Sequence, residues 1–504
     1  MDAAALAPVV RVRRITPSIA LLLVLFAAGA GIALRAFVYV SVLGSTNSDE
    51  AVLGLMARHV LHGEFTTFLW GTPYGGPQEA WLAAPLFAVF GSSVAALRVV
   101  PIALDIVGVF LVWRVGRRTI GEGPAVIAAA LCWIWPPETM MLAIKEIGFY
   151  ASNTFYCALI LLLVLWAYER PNAVRAGTLG LALGLAVWET TQIVPLAVPA
   201  VLWLVWRRPA IVRQAWVAVP AAVVGALPFL VWTFTHHFQS LMAHSTLEST
   251  YWWRLRTYAS PVLPMALGLR LPGQRWQVPY GIGTLLFVAA LVLFVIGAYV
   301  SRHRPVSLLY AACLGYPFVM AISPRSYGTI DPHYVSSLMP VFALLVAQLA
   351  RNAVSAALVL LAGAALSFGW VHDSYEKLQH GRPGDSTLPR SIDPLISTLD
   401  GLHLDRVYTT YWIAYRLDFE SRERIIAVEN KFDRLAVRNG VLEPGPDPFV
   451  RYAPYERTVR ASKRPAFVFL EHFQPPRSYV ARLLAHGYTP HDVQTFVVYA
   501  PRSK

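Results

Sequence analysis

Residues 45–60 read STNSDEAVLGLMARHV, placing two adjacent carboxylates, Asp49 and Glu50, and then Arg58 directly after a long apolar run. Other ionisable and aromatic groups fall in similar border positions. They are Tyr74 and Glu79 in WGTPYGGPQEAW, Lys145 and Glu146 in AIKEIGFY, Glu189 in WETTQ, and Arg325, Tyr327, Asp331 and His333 in SPRSYGTIDPHY. A carboxylate takes the proton of a hydroxyl that lies within hydrogen-bond reach. Arginine, lysine and tyrosine hold a phosphate and stabilise the negative charge that builds on it as it departs. Together these types suit a reaction between a lipid-phosphate leaving group and a polar acceptor, with the glycines of YGGP allowing close backbone approach. Each residue also has a plainer reading. Asp49 is well placed to start a helix, Arg58 to reach headgroups, and Lys145 and Glu146 to form a local ion pair.

The elements that must hold these groups are largely membrane helices. Of 504 residues 56% are hydrophobic and only 14% charged, well below the roughly one quarter charged that is usual for a soluble protein. Several apolar runs reach the roughly 20 residues that span a hydrocarbon core. The first, ITPSIALLLVLFAAGAGIALRAFVYV, is too long for a signal-peptide core and reads as an uncleaved span. The net charge of +13 sits mostly in RVRR, RVGRR, WRRPAIVR and SRHRP, short loops whose basic residues set orientation and give no reason to invoke nucleic acid. Cys132, Cys157 and Cys313 lie far apart inside apolar runs and fit neither a metal site nor a disulfide framework.

Loop charge and length place eleven transmembrane helices near 15–40, 95–113, 121–137, 149–168, 176–190, 192–206, 214–235, 279–300, 306–322, 333–350 and 353–371. The amino terminus is then cytoplasmic and the carboxyl terminus outside, and every group named above faces the outer side. In the first outer loop, 41–92, DEAVLGLMARHVLHG and PQEAWLAAPLFAVFG read as interfacial helices, with Ser48 as a cap and Gly63 as a stop. Residues 1–371 thus form a transmembrane domain. From 372 to 504 the composition shifts to a soluble α/β domain, with strands in DRVYTTYW, RIIAVE, AFVFLE and TFVVYA and helices near 392–400 and 478–486. The intramembrane Asp105 reads as one half of an interhelical hydrogen bond.

The run from NSDEAVLGLMARHV through WGTPYGGPQEAW to LFAVFGSSVAALRVVP resembles the GT-C membrane glycosyltransferases. The similarity is to bacterial relatives of protein O-mannosyltransferases and to aminoarabinose transferases that act on lipid A. PHYVSSLMPVFALLVA resembles that family's late span, with His333 where arginine is usual. The resemblance implies an inverting transfer of a monosaccharide from a polyprenyl-phosphate donor to an envelope glycan, lipid or protein on the outer face of the cytoplasmic membrane. It implies Asp49 as base with Glu50 beside it. Arg58 and Arg325 are its candidate donor-phosphate contacts and Glu146 its second-loop carboxylate; residue type and position add Lys145, Tyr327 and His333 to the phosphate contacts, and Tyr74 and Glu79 beside Glu146 to the substrate contacts. Members differ in using a divalent metal ion, which Asp49 and Glu146 would then hold. The alternative from another class is a transporter or flippase of lipid-linked glycans, for which Asp105 would matter at least as much as Asp49.

Overall fold

The computed structural model describes residues 17–241, 249–273, 275–323, 332–381, 383–384, 386–438, 441–445 and 450–502. It opens with α1 (Pro17–Val40), α2 (Ser48–Val60), α3 (Gln78–Phe90) and α4 (Val94–Thr119). Each stretch expected to cross the membrane lies on a helix or on two successive ones. Five described helices are long and apolar enough to cross: α1, α4, Tyr150–Glu169, Tyr280–Val300 and Ala353–His380. Thr191–Arg207 and Pro209–Gly225, which meet at 112°, add a sixth if they make one crossing. Glu122–Ile134 and Ser307–Met320 are apolar but shorter. A multi-pass bundle is therefore present, and the count of eleven is not fixed by these lengths. Tyr280–Val300 buries only Gly283 and turns Leu285, Val295 and Val300 outward, a surface that only lipid tails would solvate without cost.

Both helices expected in the first outer loop form. The cap of α2 is Asn47 rather than Ser48: its side chain accepts from the Glu50 N–H at 3.0 Å. Ser48 is instead the first helical residue, fully buried, and its Oγ donates to the Tyr411 carbonyl at 2.5 Å. The partner in that bond lies 363 residues away, so no local pattern announces it.

The carboxyl-terminal part is built on β1 (Arg406–Thr409), β2 (Ile426–Glu429), β5 (Ala466–Leu470), β6 (Tyr488–Val493) and β7 (Phe496–Pro501) in one sheet, with β3 (Lys431–Arg438) and β4 (Val441–Gly445) as a separate hairpin. The sheet order is β2-β1-β5-β7-β6. β1 runs parallel to β2 and β5, whereas β7 is antiparallel to β5 and β6. The run DRVYTTYW is shorter as a strand than expected. β1 stops at Thr409, and a helix, Tyr411–Glu420, starts at Tyr411 and buries every residue from Ile413 to Phe419.

That helix lies against α2. One apolar core runs without a break from Leu53, Ala80 and Leu97 of α2, α3 and α4 into Ile426, Phe467 and Val498 of the sheet. At Gly54 a Cβ would stand 2.6 Å from the Phe419 ring, so glycine is what lets the two helices approach this closely. The amino end of α2, where Asp49 sits, is therefore roofed by the strand-bearing part of the chain.

Candidate active site

Asp49 occupies the second position of α2, where exposed N–H groups favour a negative charge. Its side chain is 31% exposed. Oδ1 accepts a hydrogen bond from the Tyr411 hydroxyl and lies 3.5 Å from Nη2 of Arg451. Arg451 Nη2 also donates to the Tyr411 hydroxyl at 2.9 Å, closing a triangle. Among the described residues no donor reaches Oδ2. Burial, and then the charge of Asp49, push the Tyr411 hydroxyl upward, so it stays a donor. Burial alone would lower Arg451, but Tyr411 and Asp49 more than offset it and keep the guanidinium charged.

Glu50, one residue on, faces the other way. It is fully buried, and Arg98 binds both its oxygens, Nε to Oε1 and Nη2 to Oε2, each at 2.7 Å. Arg98 Nη2 also donates to the Gly44 carbonyl at 2.9 Å, tying the start of the loop to α4. Arg58 is committed as well, to Glu423 at 3.0 Å, to Ser92 at 2.9 Å and to the Phe419 carbonyl at 3.1 Å. It joins α2 to the roof and is turned away from Asp49. Lys145 is half-buried and donates to the Ser45 carbonyl at 2.7 Å. Burial lowers its ammonium, and the nearby carboxylates of Glu50 and Asp49 counter that.

Beneath this lies a row of fully enclosed carboxyls. Glu79 accepts from the Ser152 N–H at 2.7 Å, and Glu189 from the Gln78 N–H at 3.0 Å. The Glu146 carboxyl meets that of Glu79, and its own N–H donates to Glu50 at 3.3 Å. Burial, then the adjacent Glu79, pushes Glu146 well up, and burial raises Glu79 too. Among the described residues no group of three or more His, Cys, Asp or Glu is arranged to hold a metal ion.

Tyr74 is half-buried and lies near Arg451 and Tyr150. His333 packs edge-on against Tyr150 at 4.8 Å and lies 3.8 Å from Glu138. Arg325 and Tyr327, with Asp331, fall outside the described residues. The geometry thus gathers Asp49, Tyr74 and Lys145, sets Glu79 and Glu146 behind them, and sends Glu50 and Arg58 into structural pairs. Sequence reasoning missed Tyr411 and Arg451, which lie 362 and 402 residues from Asp49. It also missed Arg98, whose signal was available: a lone arginine at the outer end of an apolar span.

Comparison with known proteins agrees with this architecture. Residues 74–233 match the family model described as dolichyl-phosphate-mannose-protein mannosyltransferase. No curated protein matches the chain. Among solved structures, ArnT from Cupriavidus metallidurans bound to undecaprenyl phosphate superposes with a TM-score of 0.63 at 14% identity, over 95% of this chain and 98% of that one. The same protein in its apo state gives 0.63 at 13% identity, over 96% and 100%. The membrane bundle, the roofed α2 and the carboxyl-terminal sheet together give this chain the fold of the GT-C membrane glycosyltransferases.

Proposed function

We infer that the chain transfers a monosaccharide from a polyprenyl-phosphate donor to a hydroxyl of an envelope glycan, lipid or protein, with inversion, at the outer face of the cytoplasmic membrane. The observation that carries this reading is the half-anchored carboxylate of Asp49, with Oδ1 held and Oδ2 open at a third-exposed position. Oδ2 takes the acceptor proton as the acceptor oxygen bonds to the anomeric carbon. The bond from that carbon to the phosphate oxygen breaks from the opposite side, and the electron pair leaves on the phosphate. Lys145, with Arg325, Tyr327 and His333, meets that phosphate, while Tyr74 lines the sugar side with the enclosed Glu79–Glu146 pair behind it. Glu50 acts as a positioning group through Arg98, and Arg58 secures the roof. A protein of similar fold that binds undecaprenyl phosphate supports a polyprenyl-linked donor. In this reading residues 1–371 carry the membrane site and residues 372–504 the external domain, with the amino terminus in the cytoplasm.

Asp105 argues against the transporter alternative. It is closed off inside the bundle by Arg35 at 2.6 Å, an internal pair rather than a station on a polar path. Purified protein incubated with radiolabelled undecaprenyl-phosphate mannose or aminoarabinose and envelope fractions is expected to release undecaprenyl phosphate and label an acceptor with inverted configuration. Movement of the intact lipid-linked sugar across reconstituted vesicles, with no bond broken, would favour the alternative.

A further inference from the structure

Tyr411 and Arg451 come from the strand-bearing part of the chain, yet their polar atoms end on one oxygen of Asp49. Both are fixed by surroundings that do not involve Asp49. The Tyr411 carbonyl accepts from Ser48, and its ring lies 5.1 Å from Trp412 and 5.8 Å from Tyr415. The Arg451 N–H donates to the Tyr415 hydroxyl at 2.8 Å and to Glu429 at 3.0 Å, and its guanidinium reaches back to the Trp70 carbonyl at 3.4 Å. Gly71 makes room for it. With φ at +68°, this residue lies where a Cβ would stand 2.9 Å from the Arg451 Cα, so the WG of WGTPYGGP is shaped to admit an arginine from a remote part of the sequence.

A carboxylate held at one oxygen is restrained from rotating, and the other oxygen is left free to take a proton. We propose that Tyr411 and Arg451 are positioning residues for the transfer step, and that the carboxyl-terminal domain is thereby an integral part of the active site rather than an appended binding module. This rests on the reading of Asp49 as base. Tyr411 and Arg451 touch the base on the side away from its working oxygen, so they act through Asp49 without meeting substrate.

The test uses the full-length protein. Tyr411→Phe keeps the ring and removes only the hydroxyl, and Arg451→Lys keeps the charge and removes the fork. In the transfer assay, Tyr411→Phe is expected to lower kcat on the order of tenfold to a hundredfold with donor KM and melting temperature unchanged, the size of a misplacement effect. Tyr452→Phe, a variant of the same interface that does not touch Asp49, is expected to keep the wild-type kcat. Arg451→Lys is expected to retain more activity than Arg451→Gln. A wild-type kcat in Tyr411→Phe, with Asp49→Asn inactive, overturns the proposal while leaving Asp49 as base. An Asp49→Asn protein that still transfers sugar overturns the functional reading instead, and the proposal with it.

Discussion

Asp49 and Glu50 are neighbours in sequence with opposite environments, and the difference assigns them different work. Asp49 is partly open with one oxygen uncommitted, whereas Glu50 is closed in and saturated by Arg98. Removing one partner of a buried pair leaves the other charge uncompensated, at a cost of about 3–5 kcal/mol. Arg98→Ala should therefore lower thermal stability sharply, while Asp49→Asn should leave the melting temperature close to wild type; differential scanning fluorimetry in detergent reads both. A Glu50→Gln protein that melts like wild type yet has lost transfer would instead point to direct chemistry at Glu50. The adjacent DE was visible in the sequence, but its division of labour was not, because it depends on which side of α2 meets α4 and which meets the roof.

At the level of elements, the contact between α2 and the roof contains a charge network around His59. Its Nδ1 lies 2.7 Å from Glu64 and its Nε2 2.9 Å from Glu423, and Glu423 also accepts from Arg58 at 3.0 Å and from the Tyr455 hydroxyl at 2.6 Å. Burial opposes charge on His59, but its hydrogen bonds to Glu423 and Glu64 outweigh it and raise the imidazole above 6.5. Burial would likewise raise Glu423, but His59, Tyr455 and Arg58 override it and hold it to about 2, from a usual 4.5. The raised histidine stabilises the docked state below about pH 6.5, and this contribution is lost as pH climbs through its folded value. The lowered glutamate stabilises above about pH 4.5, and this is lost as pH falls toward 2. Docking should therefore be firmest between about pH 4.5 and 6.5, and hydrogen exchange in Arg422–Arg424 and Tyr452–Tyr455 should speed up on either side of that window. His59→Gln should abolish the alkaline loss and also weaken the acid one, because His59 is the first of the groups that hold Glu423 down. Stacking of Trp70 on Tyr452, with ring centroids 3.9 Å apart, and the close approach at Gly71 complete the joint. Gly71→Ala forces a side chain into a left-handed backbone position against Arg451 and should cost about 1–3 kcal/mol, measurable as easier proteolytic release of the carboxyl-terminal part.

Across the whole molecule, what could be read in the sequence and what could not separate along a physical line. Hydrophobic length announced the helices, and β-rich runs announced β1, β2, β5 and β7, because both signals are local. Tyr411 was misassigned to a strand for the same reason: YTTYW is rich in strand formers, and only burial against α2 makes it the start of a helix. The meeting of Asp49 with Tyr411 and Arg451 is set by tertiary packing alone. The Arg35–Asp105 pair lies inside the bundle, so replacing both members with Met and Leu should preserve transfer, whereas Arg35→Met alone should reduce the folded yield, as read by size-exclusion chromatography in detergent. In the proposed reaction one carboxylate, presented beneath a domain that holds it, drives the cleavage of a sugar–phosphate bond. Wild-type protein and Asp49→Asn, compared for sugar transfer and for binding of undecaprenyl phosphate in the same preparation, decide whether it does. Transfer is expected to fall on the order of a hundredfold to ten-thousandfold, the span of general-base effects, with lipid-phosphate binding intact; transfer at the wild-type rate in Asp49→Asn would mean that Asp49 is not the base.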